Sequence, residues 1–336
     1  MLDTVRSQLV YAIAFHPDGK HLVGGGDGGI RRWRLSDGQE LGKQTGARLR
    51  AICLSRDHKW AVCGTYNGAS VWDEEIHDKV IDVEGKSRVW AVDVSPDSTR
   101  FSTGTDKLEV SIWSIPKGER LVGPLQHDND VTGVRFSPNG EQIATACYRG
   151  SGVRVFDSHN GDELVNIRTT APELTAVTPL AWSSDGRRIV ATSDYSKITS
   201  FDVSTGSQLA ELQIINENYS LALAPNGKFI ATFGGHSVEF LDASTLSRIV
   251  TVAEDNEEIR SIAISADNSC LATGQADGKI IVRNLSKILL DSYGPFHVGI
   301  CAIIVPTCWV HIDTLVGVYS QSTTRRATFS VGRPQF

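Results

Sequence analysis

The sequence predicts an all-β protein, a seven-bladed β-propeller of four-stranded antiparallel blades. Three observations predict it: a unit of some forty residues that recurs seven times, period-two alternation of apolar residues inside each unit, and turn-forming residues at fixed offsets between the alternating runs.

The turns come first because they set the period. They read HPDG at 16–19, SRDH at 55–58, SPDS at 95–98, SPNG at 137–140, SSDG at 183–186, APNG at 224–227 and SADN at 265–268. Counted from the second residue of each, successive spacings are 39, 40, 42, 46, 41 and 41. That is the length of one four-stranded propeller blade. Ahead of each turn lies an innermost strand: YAIAF at 11–15, RAICL at 50–54, WAVDV at 90–94, TGVRF at 132–136, TPLAW at 178–182, YSLAL at 219–223 and RSIAI at 260–264. A second strand follows, as in EQIATAC at 141–147 and KFIATFG at 228–234, then a third, as in VSIWSI at 110–115 and VRVFDS at 153–158. Gly-bearing turns such as LSDG at 35–38 lead to a fourth, for example DELVNI at 162–167. Asp-Gly and Asn-Gly turns between alternating runs mean antiparallel meanders.

The third-strand ending Trp72-Asp73 and its relatives Trp113-Ser114, Phe156-Asp157, Phe201-Asp202 and Leu241-Asp242 give the sequence its likeness to a known family. With Leu125-Gln126-His127 standing where a Gly-His element would, the chain resembles the WD-repeat family from residue 10 to about 293. The resemblance implies the propeller fold and a role as an interaction platform. It also implies a polar network in each blade joining a His, a Ser or Thr, a turn Asp and the Trp. The turn Asp is arguable at Asp27, Asp106, Asp194 and Asp277, and only His127 matches the His. No blade keeps the whole set, so apolar packing is expected to hold the blades.

Composition narrows the function. With 33 basic and 39 acidic residues, the net charge of −6 disfavours a phosphate-backbone binder, and no nucleic acid is expected as a partner. Cys53, Cys63, Cys147 and Cys270 fall in apolar strand patterns and read as small core residues; with Cys301 and Cys308 they form no close zinc or redox pair. A reducing, intracellular setting (cytoplasm or nucleus) follows, without a secretory leader. The apolar run 298–319 is interrupted by Pro306, His311 and Asp313, so no membrane span is expected.

Propeller enzymes place ligands or acid–base groups on the innermost strands. Here those strands carry one carboxylate, Asp93, and no His. His16 and His58 fall in the turns after the first strands, His77 and His159 after the third strands. His236 falls in another turn, and His297 and His311 beyond the repeats. No pair has ligand spacing on a shared element, and neither catalytic residue, metal nor cofactor is expected. The Gly cluster at 24–29 joins two strands and is no phosphate loop. The rival readings are a propeller hydrolase or isomerase with a site in the central channel, and a degenerate or truncated repeat protein.

Aligning the innermost strands on their turns isolates one unusual column: Tyr11, Arg50, Trp90, Thr132, Thr178, Tyr219 and Arg260. Two positions on, every residue is apolar, and the position between is small or compact throughout. The column itself is rich in Tyr, Trp and Arg, the residues enriched where interfaces gain their energy. All seven stand at strand starts and should ring one mouth, with Tyr66 and Tyr148 extending the patch. The expected function is a non-catalytic scaffold or adaptor that presents this rim to a peptide or domain of another protein.

Two expectations concern the ends of the repeat. Residues 1–293 form the propeller, with Ile288 to Tyr293 supplying most of the outer strand of blade seven. Residues 294–336 form a poorly ordered tail outside the repeat.

Overall fold

The computed structural model describes residues 9–44, 48–74, 78–83, 85–148, 152–168, 180–193, 197–214, 218–253 and 257–293. They form seven antiparallel sheets. Blade one consists of Val10–Phe15, His21–Gly26, Gly29–Arg34 and Glu40–Gln44, and blade two of Leu49–Leu54, Trp60–Thr65, Gly68–Asp73 and Lys79–Val83. Blade three follows with Val89–Val94, Arg100–Thr105, Glu109–Ser114 and Arg120–Gln126, and blade four with Val131–Phe136, Gln142–Cys147, Gly152–Asp157 and Glu163–Arg168. Blade five holds Leu180–Trp182, Arg188–Ser193, Lys197–Asp202 and Gln208–Gln213, and blade six Asn218–Leu223, Phe229–Gly234, Ser237–Asp242 and Arg248–Ala253. Blade seven has Ile259–Ile264, Cys270–Gln275 and Ile280–Asn284. The first strands of successive blades lie side by side, and that of blade seven lies beside that of blade one, so the ring closes.

The turn signature has a backbone reason. In every first hairpin the fourth turn residue has positive φ: Gly19, His58, Ser98, Gly140, Gly186, Gly227 and Asn268, between 60° and 78°. Glycine suits that left-handed conformation, which is why Asp-Gly and Asn-Gly recur there.

Each apolar cluster belongs to a pair of neighbouring blades. Val62, Val71, Ile81, Phe101 and Trp113 fill the space between blades two and three; Ile112, Val131, Phe136 and Phe156 that between three and four. Val10, Phe15, Leu22 and Trp33 meet Ala272 and Ile280 where blade one closes on blade seven. Among the described residues the blade one–two cluster is the smallest, with only Ala12, Leu49 and Cys63 buried. Cys63 and Cys147 are buried as expected, while Cys53 and Cys270 are partly exposed, and all four are free thiols.

Glycines let the blades approach this closely. A Cβ on Gly64 would lie 2.9 Å from Val89, one on Gly104 2.8 Å from Val131, and one on Gly274 2.7 Å from Val10, across three successive-blade contacts.

The polar network survives only in pieces. Trp72 Nε1 donates to Ser70 Oγ at 2.9 Å and Trp113 Nε1 to Thr103 Oγ1 at 3.0 Å. His127 lies against Phe156, with Nε2 2.9 Å from Thr145 Oγ1 and Nδ1 2.9 Å from Leu125 O.

The expected outer strand at Ile288 to Tyr293 is corrected: Leu285–Tyr293 is an α-helix. Asn284 caps it, its Oδ1 accepting from Lys287 N at 3.0 Å. Leu285, Ile288 and Leu289 recur at i, i+3 and i+4 and pack on the blade six–seven cluster. Blade seven therefore shows three strands among the described residues. The expectation for residues 294–336 lies outside them. No helix of the described residues is long and apolar enough to cross a membrane.

Two outcomes are expected. Gly104→Ala, which forces a methyl onto Val131 across the blade three–four contact, should cost about 1–3 kcal/mol in chemical denaturation. Burial pushes the His127 imidazole down from 6.5 to about 4. The folded state thus disfavours protonation, so its contribution is complete above pH 6.5 and lost as pH falls towards 4. Stability should fall in that window by up to about 1.4 kcal/mol per pH unit. His127→Asn should flatten the slope in denaturation curves measured across it.

A candidate protein-binding rim

The column residues share a local device. In six of the seven first hairpins the register slips by one residue at the second position of the strand, between Val10 and Ala12, Leu49 and Ala51, Val89 and Ala91, Val131 and Gly133, Asn218 and Ser220, and Ile259 and Ser261; the described part of blade five, Leu180–Trp182, pairs without a slip. Tyr11, Arg50, Trp90, Thr132, Tyr219 and Arg260 are the residues left out of the ladder. A bulge of this kind re-aims its extra side chain, so the unusual column is a ring of bulges. Sequence alignment found the column; the bulges escaped it because an extra residue leaves no mark on strand length.

On blades one to three the rim side chains converge. The Arg50 guanidinium stacks 4.0 Å from the centre of the Tyr11 ring, 4.5 Å from that of Tyr66 and 5.5 Å from that of Trp90. Tyr66 meets Trp90 edge-on with ring centres 6.1 Å apart. Arg88 and Arg48 approach Tyr66 from outside, at 5.2 and 5.8 Å. Each is drawn to a turn carboxylate, Arg88 to Asp106 at 3.9 Å and Arg48 to Asp27 at 3.7 Å. Two of the turn aspartates sought in the sequence thus hold rim arginines.

Trp90 is partly exposed, and its Nε1 is turned to the Asp130 carboxylate without forming a well-aligned hydrogen bond. Burial and the neighbouring Asp106 charge raise the Asp130 pKa, against the opposing influence of Trp90 and Arg88.

The rest of the column is less uniform. Arg260 pairs with Glu258 at 2.6 Å, while Thr132 is buried rather than rim-exposed. Tyr148 is half-buried in the turn after Gln142–Cys147, the place Tyr66 takes in blade two. Tyr219 has its strand position described but not its side chain, and Thr178 lies outside the described residues.

The lone inner-strand carboxylate is tied into the fold. Asp93 Oδ2 accepts from Phe136 N at 2.7 Å and its Oδ1 from the Cys53 thiol at 3.4 Å. Burial, more than the Asp93 charge, pushes that thiol up to about 12, so it stays protonated. His21, at the start of a second strand, comes with His16 and Asp18 into one group across the first turn.

The WD domain, G-beta repeat family matches residues 3–34, 78–114, 120–157 and 247–284. Each of the last three stretches runs from the outer strand of one blade to the third strand of the next. The seven-bladed propeller thus carries WD40 repeats in four stretches of its chain. Among curated proteins the chain is similar to eukaryotic translation initiation factor 3 subunit I of Candida albicans, 24% identical over 68% of this chain and 75% of that protein. The same subunit of Lodderomyces elongisporus is 29% identical over the same shares. The serine-threonine kinase receptor-associated protein of Gallus gallus is 23% identical over 63% of this chain and 60% of its own length.

The stack around Arg50 should be measurable as stability. Arg50→Ala removes three cation–aromatic contacts and should cost about 1–2 kcal/mol in chemical denaturation, and Arg50→Lys less, because an ammonium keeps the charge but not the plane.

Proposed function

We propose that this WD-repeat propeller is a non-catalytic scaffold that presents the bulged rim of blades one to three to a segment or domain of a partner protein. The observation that carries the reading is the Tyr11, Arg50, Tyr66 and Trp90 cluster, in which a bulge leaves a large, partly exposed aromatic at the rim beside a stacked guanidinium. The aromatic faces supply apolar area at low entropic cost. The stacked guanidinium holds the aromatics in place before binding, which reduces the ordering cost of association. The names of similar proteins support the reading: one is a subunit of an initiation factor and another is receptor-associated.

Trp90→Ala tests it. A rim anchor should lose about 2 kcal/mol or more of affinity for partners captured with the wild-type chain, with the melting temperature nearly unchanged. Trp113→Ala, which empties a core site, should instead cost about 3–5 kcal/mol of stability. A large drop in melting temperature for Trp90→Ala, with partner affinity intact, would show a packing residue.

A further inference from the structure

The turn after each first strand repeats one hydrogen-bond pattern. In five blades a serine hydroxyl donates to the turn carboxylate or amide: Ser55 to Asp57, Ser95 to Asp97, Ser137 to Asn139, Ser183 to Asp185 and Ser265 to Asp267. The same hydroxyl accepts the backbone N–H of the residue five further on, as Trp60 N does to Ser55 at 2.9 Å. Blade one departs from the pattern at both ends. His16 stands where the serine stands, and His21 is the residue five further on.

The Asp18 carboxylate lies between the two imidazoles. Its Oδ1 is 3.0 Å from His16 Nδ1 and its Oδ2 is 2.6 Å from His21 Nδ1. One donor atom from each of the three residues falls within 4.8 Å of the others, the one such group among the described residues. The turn holds them rigidly: His16 N donates to His21 O at 2.9 Å, Gly19 N to His16 O at 3.0 Å, and Gly19 has φ +67°. His16 is 5% exposed, and its Nε2 has no hydrogen-bond partner. Glu74 Oε2 of blade two lies 4.0 Å from it, beyond hydrogen-bond reach but close enough to accept its N–H after a small shift. Arg32 pairs with Glu74 at 3.1 Å and also reaches His21 Nδ1 at 3.4 Å, a contact that a bound ion would displace.

We propose that His16, Asp18 and His21 form a binding site for a divalent transition metal of the zinc class. Two imidazole nitrogens and a carboxylate oxygen are a zinc donor set, with the fourth position left to solvent or to a partner's side chain. The site stands at the junction of blades one and two, where the buried apolar cluster is smallest among the described residues and where the exposed His58 ring lies 5.7 Å from that of His16. A bound ion would fix the turn at that junction and raise the melting temperature by mass action.

The test is zinc titration of the full chain by calorimetry and by competition with a chromogenic chelator. His16→Ser gives blade one the serine that five other turns already carry, so it should fold; His21→Gln removes the second imidazole. Wild type should bind one zinc per chain and melt higher with zinc present. Each variant should lose that binding by at least about tenfold, and His236→Gln, in an exposed turn of blade six, should keep it. Cobalt substitution separates this site from the cysteines: nitrogen and oxygen ligands give ligand-field bands without a thiolate charge-transfer band. Absence of stoichiometric binding in wild type would overturn the proposal. So would unchanged binding in both folded variants, or a thiolate band that carries all the bound cobalt.

Discussion

Face-to-face contact between neighbouring blades is the interaction on which everything else rests. A single meander cannot bury both its faces, so each blade needs two neighbours, and the apolar clusters span blade pairs rather than single blades. Close approach requires small residues where one blade's second strand meets the next blade's first. Gly64, Gly104 and Gly274 occupy such points, and the last of them joins blade seven to blade one. Closure therefore uses the same close contact as the blade two–three and three–four junctions.

The rim follows from that constraint. A first strand pressed between two blades must keep its alternating apolar side chains inward along most of its length. Where it enters the mouth of the ring, one extra residue slips out of the ladder, and its side chain is freed from the packing pattern. Residue choice is relaxed there while backbone position is not, and this is what an adaptable binding surface on a rigid support needs. Blades one to three use the freedom to gather an arginine and three aromatics. Blade four places a buried threonine at the same point, so the six described bulges share a position while the surface they offer varies.

The opposite ends of the first strands show the same separation of backbone from side chain. The turn geometry is common to every blade, but its side-chain lock is a serine with Asp or Asn in five and a pair of histidines around Asp18 in one. A fixed hairpin repeated around a ring is a scaffold on which single substitutions create new chemistry without disturbing the fold.

The fold was legible because its signals are local and repeated. Turn residues answer to backbone φ, alternation answers to the two faces of a strand, and the spacing of seven turns gives the blade count. The rim column was legible as composition, since apolar and small positions beside it reveal where packing stops choosing. The helix at Leu285–Tyr293 was legible too, through Asn284 and the i, i+3, i+4 spacing of Leu285, Ile288 and Leu289, but the repeat template favoured a strand there. Tertiary structure alone decided the rest. The stacking of Arg50 of blade two among Tyr11 of blade one, Tyr66 of its own blade and Trp90 of blade three joins residues up to 79 positions apart. The burial of His16 against Glu74 likewise crosses a blade junction. A period read along the chain fixes what each blade is; which side chains meet depends on how neighbouring blades pack, and that is set by the closed ring.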